Sequence, residues 1–227
     1  MIYNNIREGI FIARPNRFVA VVEIDGFPGI CHVKNTGRCK ELLVPGARVF
    51  LCPSDNPIRI TKYDLVAVYK GERLINIDSQ APNKAFLEHL QAKRYIDGIT
   101  CIKPETRYGS SRFDFYVETG QRKIYIEVKG VTLEENGVAL FPDAPTLRGV
   151  KHLNELANCV KDGYEAHIIF VIQMRGVRYF SPNDKTHQAF GEALAAADAS
   201  GVKVVALDCE VSENSLDIAE FVPVKVG

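Results

Sequence analysis

The sequence predicts a two-domain protein of mixed α+β and α/β character. A small closed β-barrel covers residues 1–81, and a mixed sheet flanked by helices covers residues 82–227. Three observations carry this prediction. The first 81 residues are short β-rich runs separated by Gly, Pro, Asn and Asp. After "DSQAPN" helical and extended segments alternate, the grammar of a sheet with helices packed on it. Within that part, two consecutive strands joined across Gly120-Gln121 alternate apolar with polar residues, so each offers one face to a core.

In chain order, the β-rich runs are "RFVAVVEIDG", "PGICHVKN", "ARVFLCP", "YDLVAVYKG" and "ERLINIDS". "TGRCKELLVPG", between the second and third, reads as a helical turn ended by Pro45-Gly46. Five short strands with one brief helix suit a barrel of the OB type, and an SH3-like barrel has a similar signature. "PNKAFLEHLQAKRY", Pro82 to Tyr95, is helix-like, with Phe86, Leu87 and Leu90 apolar. "ITCIKPETRYG" is extended, and "SRFDFYVETG" and "RKIYIEVKG" are the alternating strands. "DAPTLRGVKHLNELANCVKDG" is a helix, with Leu147, Val150, Leu153, Ala157 and Val160 at helical spacing and Gly163 at a C′ position. "AHIIFVIQM" is apolar throughout, as a central strand buried on both faces is. A further helix, "KTHQAFGEALAAADASG", and a strand, "VKVVAL", extend the αβββαβ order.

The hairpin raises the chemical question. Its short turn sets a register in which Asp114 lies opposite Glu127 and Arg112 opposite Lys129. Phe113, Phe115 and Val117 then share a face with Ile124, Ile126 and Val128. Two carboxylates directly across a strand pair repel one another. A shared proton, a cation or full solvation relieves that repulsion. Carboxylates with carbonyl and water ligands suit Mg²⁺ or Mn²⁺ rather than zinc. Such an ion activates water and stabilises charge on a phosphoryl oxygen, and Lys129 on the same face can assist. The reading is metal-assisted hydrolysis of a phosphodiester by Asp114, Glu127 and Lys129. A solvated sheet face carries the same residues without chemistry.

The helix after the hairpin adds weight. Arg148, Lys151, His152 and Glu155 fall on one face, opposite the Leu/Val stripe, and the first three are candidate phosphate donors near the helix N-terminus. Arg112 joins them as a candidate nucleic-acid contact. In the barrel, Arg14, Arg17, Phe18, Lys34, Arg38 and Lys40 are the candidate nucleic-acid face, since OB-folds hold single strands by aromatic stacking and cations. Asp143, in "FPDAP", is read as a turn or cap residue.

An acid on one hairpin strand and E-x-K on the next, in αβββαβ order, resembles the PD-(D/E)XK nuclease core. The resemblance implies metal binding by Asp114 and Glu127 and assistance by Lys129. The residue before Asp114 is Phe113, so the P-D half is not matched literally. Glu88 and Glu105 are the candidates for an additional acidic ligand. "RPNRFVA", "HVKNTGRCKELLVPGARVFL", "YGSSRFDF", "IEVKGVTL", "FPDAPTLRGVKHLNEL" and "FVIQM" resemble the sugar fermentation stimulation protein family along nearly the whole chain. That resemblance implies an OB-like domain, a PD-(D/E)XK-like domain and binding to DNA or RNA. The alternative is a non-catalytic DNA-binding regulator of sugar metabolism genes on a nuclease scaffold. An oligosaccharide in the barrel is a third reading.

Bulk properties exclude some classes. The net charge is zero, with 11 Lys+Arg against 8 Asp+Glu in residues 1–81 and 17 against 20 afterwards, so nucleic-acid binding needs local clustering. No apolar run of membrane-spanning length occurs, and charges in the first 18 residues argue against a signal peptide. Six scattered Cys without a C-x-x-C pair suit free thiols in a reducing cytoplasm. Cys31, His32 and Cys39 lack the spacing of a zinc site. A homo-oligomer is compatible with the composition, and no helix-turn-helix wording is present.

Overall fold

The computed structural model describes residues 1–35, 37–54, 56 and 58–226. Six strands form the first sheet: β1 (Arg7–Asn16), β2 (Val19–Ile24), β3 (Phe27–Val33), β4 (Arg48–Pro53), β5 (Tyr63–Lys70) and β6 (Arg73–Asn76). Their order is β3-β2-β1-β4-β5-β6, and parallel pairing of β3 with β5 closes the first five into a barrel. The barrel is OB-like, as expected, but its strand inventory differs. β1 is not among the expected strands, because its outward face carries Ile10 and Ile12 and so lacks a polar alternation. The run "ERLINIDS" supplies β6, which lies outside the closed ring. The expected helix in "TGRCKELLVPG" is a set of turns instead, with Thr36 outside the described residues. Leu42 and Leu43 both donate backbone hydrogen bonds to the Cys39 carbonyl, and all three side chains enter the barrel core.

The second part begins with α1 (Ala81–Gln91), whose early Pro82 suits a first helical turn. It continues with β7 (Ile99–Tyr108), β8 (Ser111–Thr119), β9 (Lys123–Val131), β10 (Leu133–Glu135), β11 (Val138–Phe141), α2 (Leu147–Lys161), β12 (Glu165–Ile172), β13 (Tyr179–Pro182), α3 (Asp184–Ala199), β14 (Lys203–Ser212) and β15 (Ser215–Val222). The main sheet runs β15-β14-β12-β9-β8-β7, with β9, β12 and β14 parallel. The expected αβββαβ order is therefore present in α1, β7, β8, β9, α2 and β12. The small sheet β10-β11-β13 and the edge strand β15 are additions to the expected order.

Helices cover both faces of the main sheet. Ala85, Phe86 and Leu90 of α1 pack with Phe115, Val117, Ile124, Ile126, Val128, Ile169 and Val171 on one side. On the other side Leu153, Leu156, Phe190 and Leu194 from α2 and α3 pack with Tyr116, Tyr125, Ile168 and Phe170. Successive residues of β12 thus feed opposite cores, which is why its sequence is apolar without alternation. The second core runs on without a break into the barrel residues Phe11, Val33 and Leu65.

A buried histidine makes the fold acid-sensitive. His167 on β12 is 2% exposed and hydrogen-bonds the Tyr95 hydroxyl at 2.8 Å. Burial pushes its pKa down to about 4 from the ordinary 6.5, so the folded state resists the proton that the unfolded chain accepts. This contribution is fully present above pH 6.5 and is lost as pH falls towards 4, by about 3 kcal/mol at most. Urea unfolding across that window is expected to show the decline, and His167→Gln to flatten it. Equal slopes in both proteins would contradict the assignment.

Candidate metal centre and basic cleft

The hairpin register is the expected one: Phe115 pairs with Ile126, Tyr116 with Tyr125 and Val117 with Ile124. The ladder ends there, however, and the alternation breaks at Asp114. Phe113 joins the α2-side core, whereas Phe115 and Val117 join the α1-side core, so the three do not share a face as expected. Glu105, across the β7–β8 pair from this point, has a positive φ of 54°. Such local breaks in a strand re-aim a side chain. Here the Asp114 carboxylate turns into the gap, where Oδ2 accepts from the Val128 backbone N–H at 2.7 Å and Oδ1 from Asn83 Nδ2 at 2.7 Å. The side chain replaces a strand carbonyl in the sheet.

Glu127 is 3% exposed and sits under α2 rather than on a solvated face. Its Oε1 accepts from Lys129 Nζ at 2.6 Å and from His152 Nδ1 at 2.5 Å. Its Oε2 is buried and has no hydrogen-bond partner among the described residues. Burial pushes the Glu127 carboxyl up, but the bonds from His152 and Lys129 outweigh it and hold the group below the usual carboxylate range. Asp114 goes the other way. Burial first, and then the neighbouring Glu127 charge, raise its pKa to about 6 despite its two hydrogen bonds. The Glu127 charge is close enough to oppose ionisation of Asp114, and Glu127 keeps one buried oxygen without a partner among the described residues. That donor chemistry, hard and anionic, fits a divalent cation. Among the described residues no three His, Cys, Asp or Glu side chains converge on a metal-sized space.

α2 explains the largest departure from expectation. Thr146 caps it, its hydroxyl accepting from the Gly149 N–H at 3.0 Å. The buried stripe is Gly149, His152, Leu153, Leu156 and Cys159, while Leu147 is 80% exposed. The helix is thus rotated relative to the expected Leu/Val stripe, because α3 flanks it and Phe190 presses on Gly149. His152 is consequently 3% exposed beneath the helix, at the inner wall of the basic cleft rather than on its open face. Arg148 and Lys151 stay exposed. They line a cleft of about 470 Å³ with Arg107, Arg112, Ser110 and Ser111 from the β7–β8 turn. Lys151 Nζ donates to the Ser110 carbonyl at 3.1 Å, and the Ser110 hydroxyl donates to Glu155 at 2.7 Å, which fastens the turn to the helix. Arg112 pairs with Glu105 at 2.6 Å rather than facing Lys129. Glu105, half-exposed and bound to that arginine, makes no bond to Asp114 or Glu127. Glu88 is 2.8 Å from the N-terminal amino group. Neither joins the acidic pair.

In the barrel the predicted residues divide. Arg14 spends its guanidinium on the carbonyls of Gly37, Arg38, Arg17 and Asn35, at 3.0, 2.6, 2.7 and 2.9 Å, so it buckles two loops together instead of reaching outwards. Lys34 is paired with the buried Asp78 at 3.0 Å. Arg17, Phe18, Arg38 and Lys40 are exposed. Asp143 accepts from the Arg38 backbone N–H at 3.3 Å, a bond from the second part to the barrel rather than a local cap. None of the six Cys forms a disulfide, and His32 pairs with Asp64 at 3.1 Å.

Two family models match the chain: the SfsA N-terminal OB domain over residues 12–77 and the sugar fermentation stimulation protein RE domain over residues 80–215. The chain belongs to the sugar fermentation stimulation protein family. A family homolog from Desulfitobacterium hafniense (strain Y51) is 63% identical, over 100% of this chain and 99% of that one. One from Clostridium beijerinckii is 58% identical over 99% of each. Among solved structures, Pyrococcus furiosus SfsA in complex with Ca²⁺ superposes with a TM-score of 0.91 at 30% identity, covering 100% of this chain and 98% of that one. Among the described residues no helix is long and apolar enough to cross a membrane.

Proposed function

We propose that this protein is a divalent-metal-dependent phosphodiesterase acting on DNA or RNA, with Asp114 and Glu127 as metal ligands. The observation that carries the reading is the buried, unpartnered Glu127 Oε2 beside the raised carboxyl of Asp114. The complex of the Pyrococcus furiosus relative with Ca²⁺ supports a divalent cation in this family. Mg²⁺ or Mn²⁺ held there supplies Lewis-acid activation of water and of a phosphoryl oxygen. Asn83 and the Val128 N–H fix the Asp114 carboxylate, and Lys129 and His152 fix that of Glu127. Lys129 puts its Nζ protons beside the acidic pair, where negative charge on a transferring phosphoryl group is stabilised. Arg107, Arg148 and Lys151 receive the phosphate backbone in the adjacent cleft, and Arg17, Phe18 and Arg38 extend the path over the barrel. A reducing cytoplasm suits six Cys that form no disulfide.

Cleavage of single- and double-stranded DNA and RNA, with Mg²⁺, Mn²⁺ or EDTA, tests the reading; no cleavage of any of them sinks it. The cleft makes a separate prediction. Arg107→Ala combined with Lys151→Ala is expected to reduce the slope of log affinity against log salt by about 1 for each charge removed. Titrations at several salt concentrations measure it, and an unchanged slope places the phosphates elsewhere.

One observation favours a non-catalytic DNA-binding regulator. Both Asp114 oxygens and Glu127 Oε1 already accept hydrogen bonds from the protein, an arrangement that holds together without an ion. That reading expects salt-sensitive binding and no cleavage in any metal.

A further inference from the structure

We infer that Arg148, His152 and Glu127 form one relay through which an anion seated in the basic cleft tightens cation binding at the acidic pair. The inference rests on the metal-site reading above and adds a coupling between its two halves. Arg148 and His152 are positioning residues in it.

The bonds are directional. Arg148 Nε–H lies 3.3 Å from His152 Nε2, so that nitrogen accepts and the ring proton sits on Nδ1. Nδ1–H then donates to Glu127 Oε1 at 2.5 Å. With Lys129 donating to the same oxygen, Oε1 is held from two sides and Oε2 is left for a ligand. Phe113, edge-on to the imidazole with ring centroids 5.9 Å apart, limits rotation of the ring. Were the proton on Nε2 instead, the Nδ1 lone pair would face a carboxylate lone pair. The Arg148 N–H selects against that tautomer.

Arg148 is itself exposed and lines the cleft, and Nε is the nitrogen it commits to the protein among the described residues. Its terminal nitrogens are the fork that suits a tetrahedral oxyanion. An anion held by that fork immobilises a side chain that is otherwise free to swing, and so keeps Nε on His152. The ordering cost is met once and shared by both ligands, which is positive coupling. By reciprocity a cation on Glu127 tightens the cleft for an anion to the same degree.

The test is Mn²⁺ binding by the full chain, followed by electron paramagnetic resonance of the free ion, with sodium sulfate or with chloride at equal ionic strength. In the wild type sulfate is expected to tighten Mn²⁺ binding about 5-fold or more. His152→Leu keeps every cleft cation, and Arg148→Lys keeps the charge but lacks the Nε–H. In both, the factor is expected to fall below about 2. An undiminished factor in both variants overturns the relay, because direct attraction between the two ions then accounts for it. Arg148 is a surface residue, so the lysine variant remains informative if the leucine variant fails to fold. Long-range proton–nitrogen spectra of histidine-labelled wild type give a metal-free check. They are expected to place the His152 proton on Nδ1 alone, and a proton on Nε2 also overturns the relay. Mn²⁺ binding that Glu127→Gln leaves untouched defeats the metal-site reading instead, and the spectrum still judges the tautomer.

Discussion

Glu127→Gln is expected to lower metal-dependent cleavage by about 10³-fold or more while leaving the fold intact. Glutamine has the same shape, and its amide oxygen still accepts from His152 and Lys129. What changes is Oε2, the buried oxygen without a partner, which becomes an NH₂ group that repels a cation. Removing the Glu127 charge also removes one of the two causes that raise the Asp114 pKa, leaving burial alone. Initial rates in Mn²⁺ and the affinity for Mn²⁺ measure the effect. Wild-type rates in the variant would rule Glu127 out as a ligand. Retained nucleic-acid affinity in the variant is the companion expectation, since the cleft cations are untouched.

Phe170→Ala is expected to lower stability by about 4 kcal/mol, within the range for truncating a fully buried phenylalanine. Phe170 is 0% exposed at the centre of β12. It stacks on Phe180 with centroids 4.0 Å apart and tilts against Phe141 at 5.6 Å. Rings so interlocked cannot close over the void, so the cavity cost adds to the lost transfer energy. The residue is also the register partner of Lys129 on β9, so the cavity opens behind the candidate site. Urea denaturation gives the stability change, and Phe170→Leu is expected to cost less than half as much. A loss below about 1 kcal/mol for the alanine would mean that the core repacks.

Much of this was legible in the sequence. The turn at Gly120-Gln121 and the alternation of the two strands gave the register that brings Asp114 towards Glu127. The apolar run of β12 marked the sheet centre. β1 was not legible, because Ile10 and Ile12 put apolar residues on a face exposed to water and blurred the alternation. The stripe of Leu147, Val150, Leu153, Ala157 and Val160 on α2 points His152 outwards, whereas the buried set is centred on Gly149, His152 and Leu156. Gly149 is a packing residue there, pressed by Phe190 from α3, and a contact between two helices leaves no local trace. Arg14 looked like a surface cation for a similar reason. The carbonyls that occupy it belong to the turn at Arg17 and to Asn35, Gly37 and Arg38, and backbone carbonyls carry no sequence signature. Asn83 gave no signal either, since an amide on a helix is ordinary until the sheet below it is known.

The Val128 N–H that donates to Asp114 has a consequence for how this position drifts over generations. The carboxylate stands in for a missing carbonyl, so the sheet needs an acceptor at 114 whether or not an ion ever arrives. Asn supplies that acceptor and Ala does not. The backbone alone therefore asks for a short side chain with an acceptor at 114. An acid at 114 thus serves the architecture of the strand as well as any chemistry beside it.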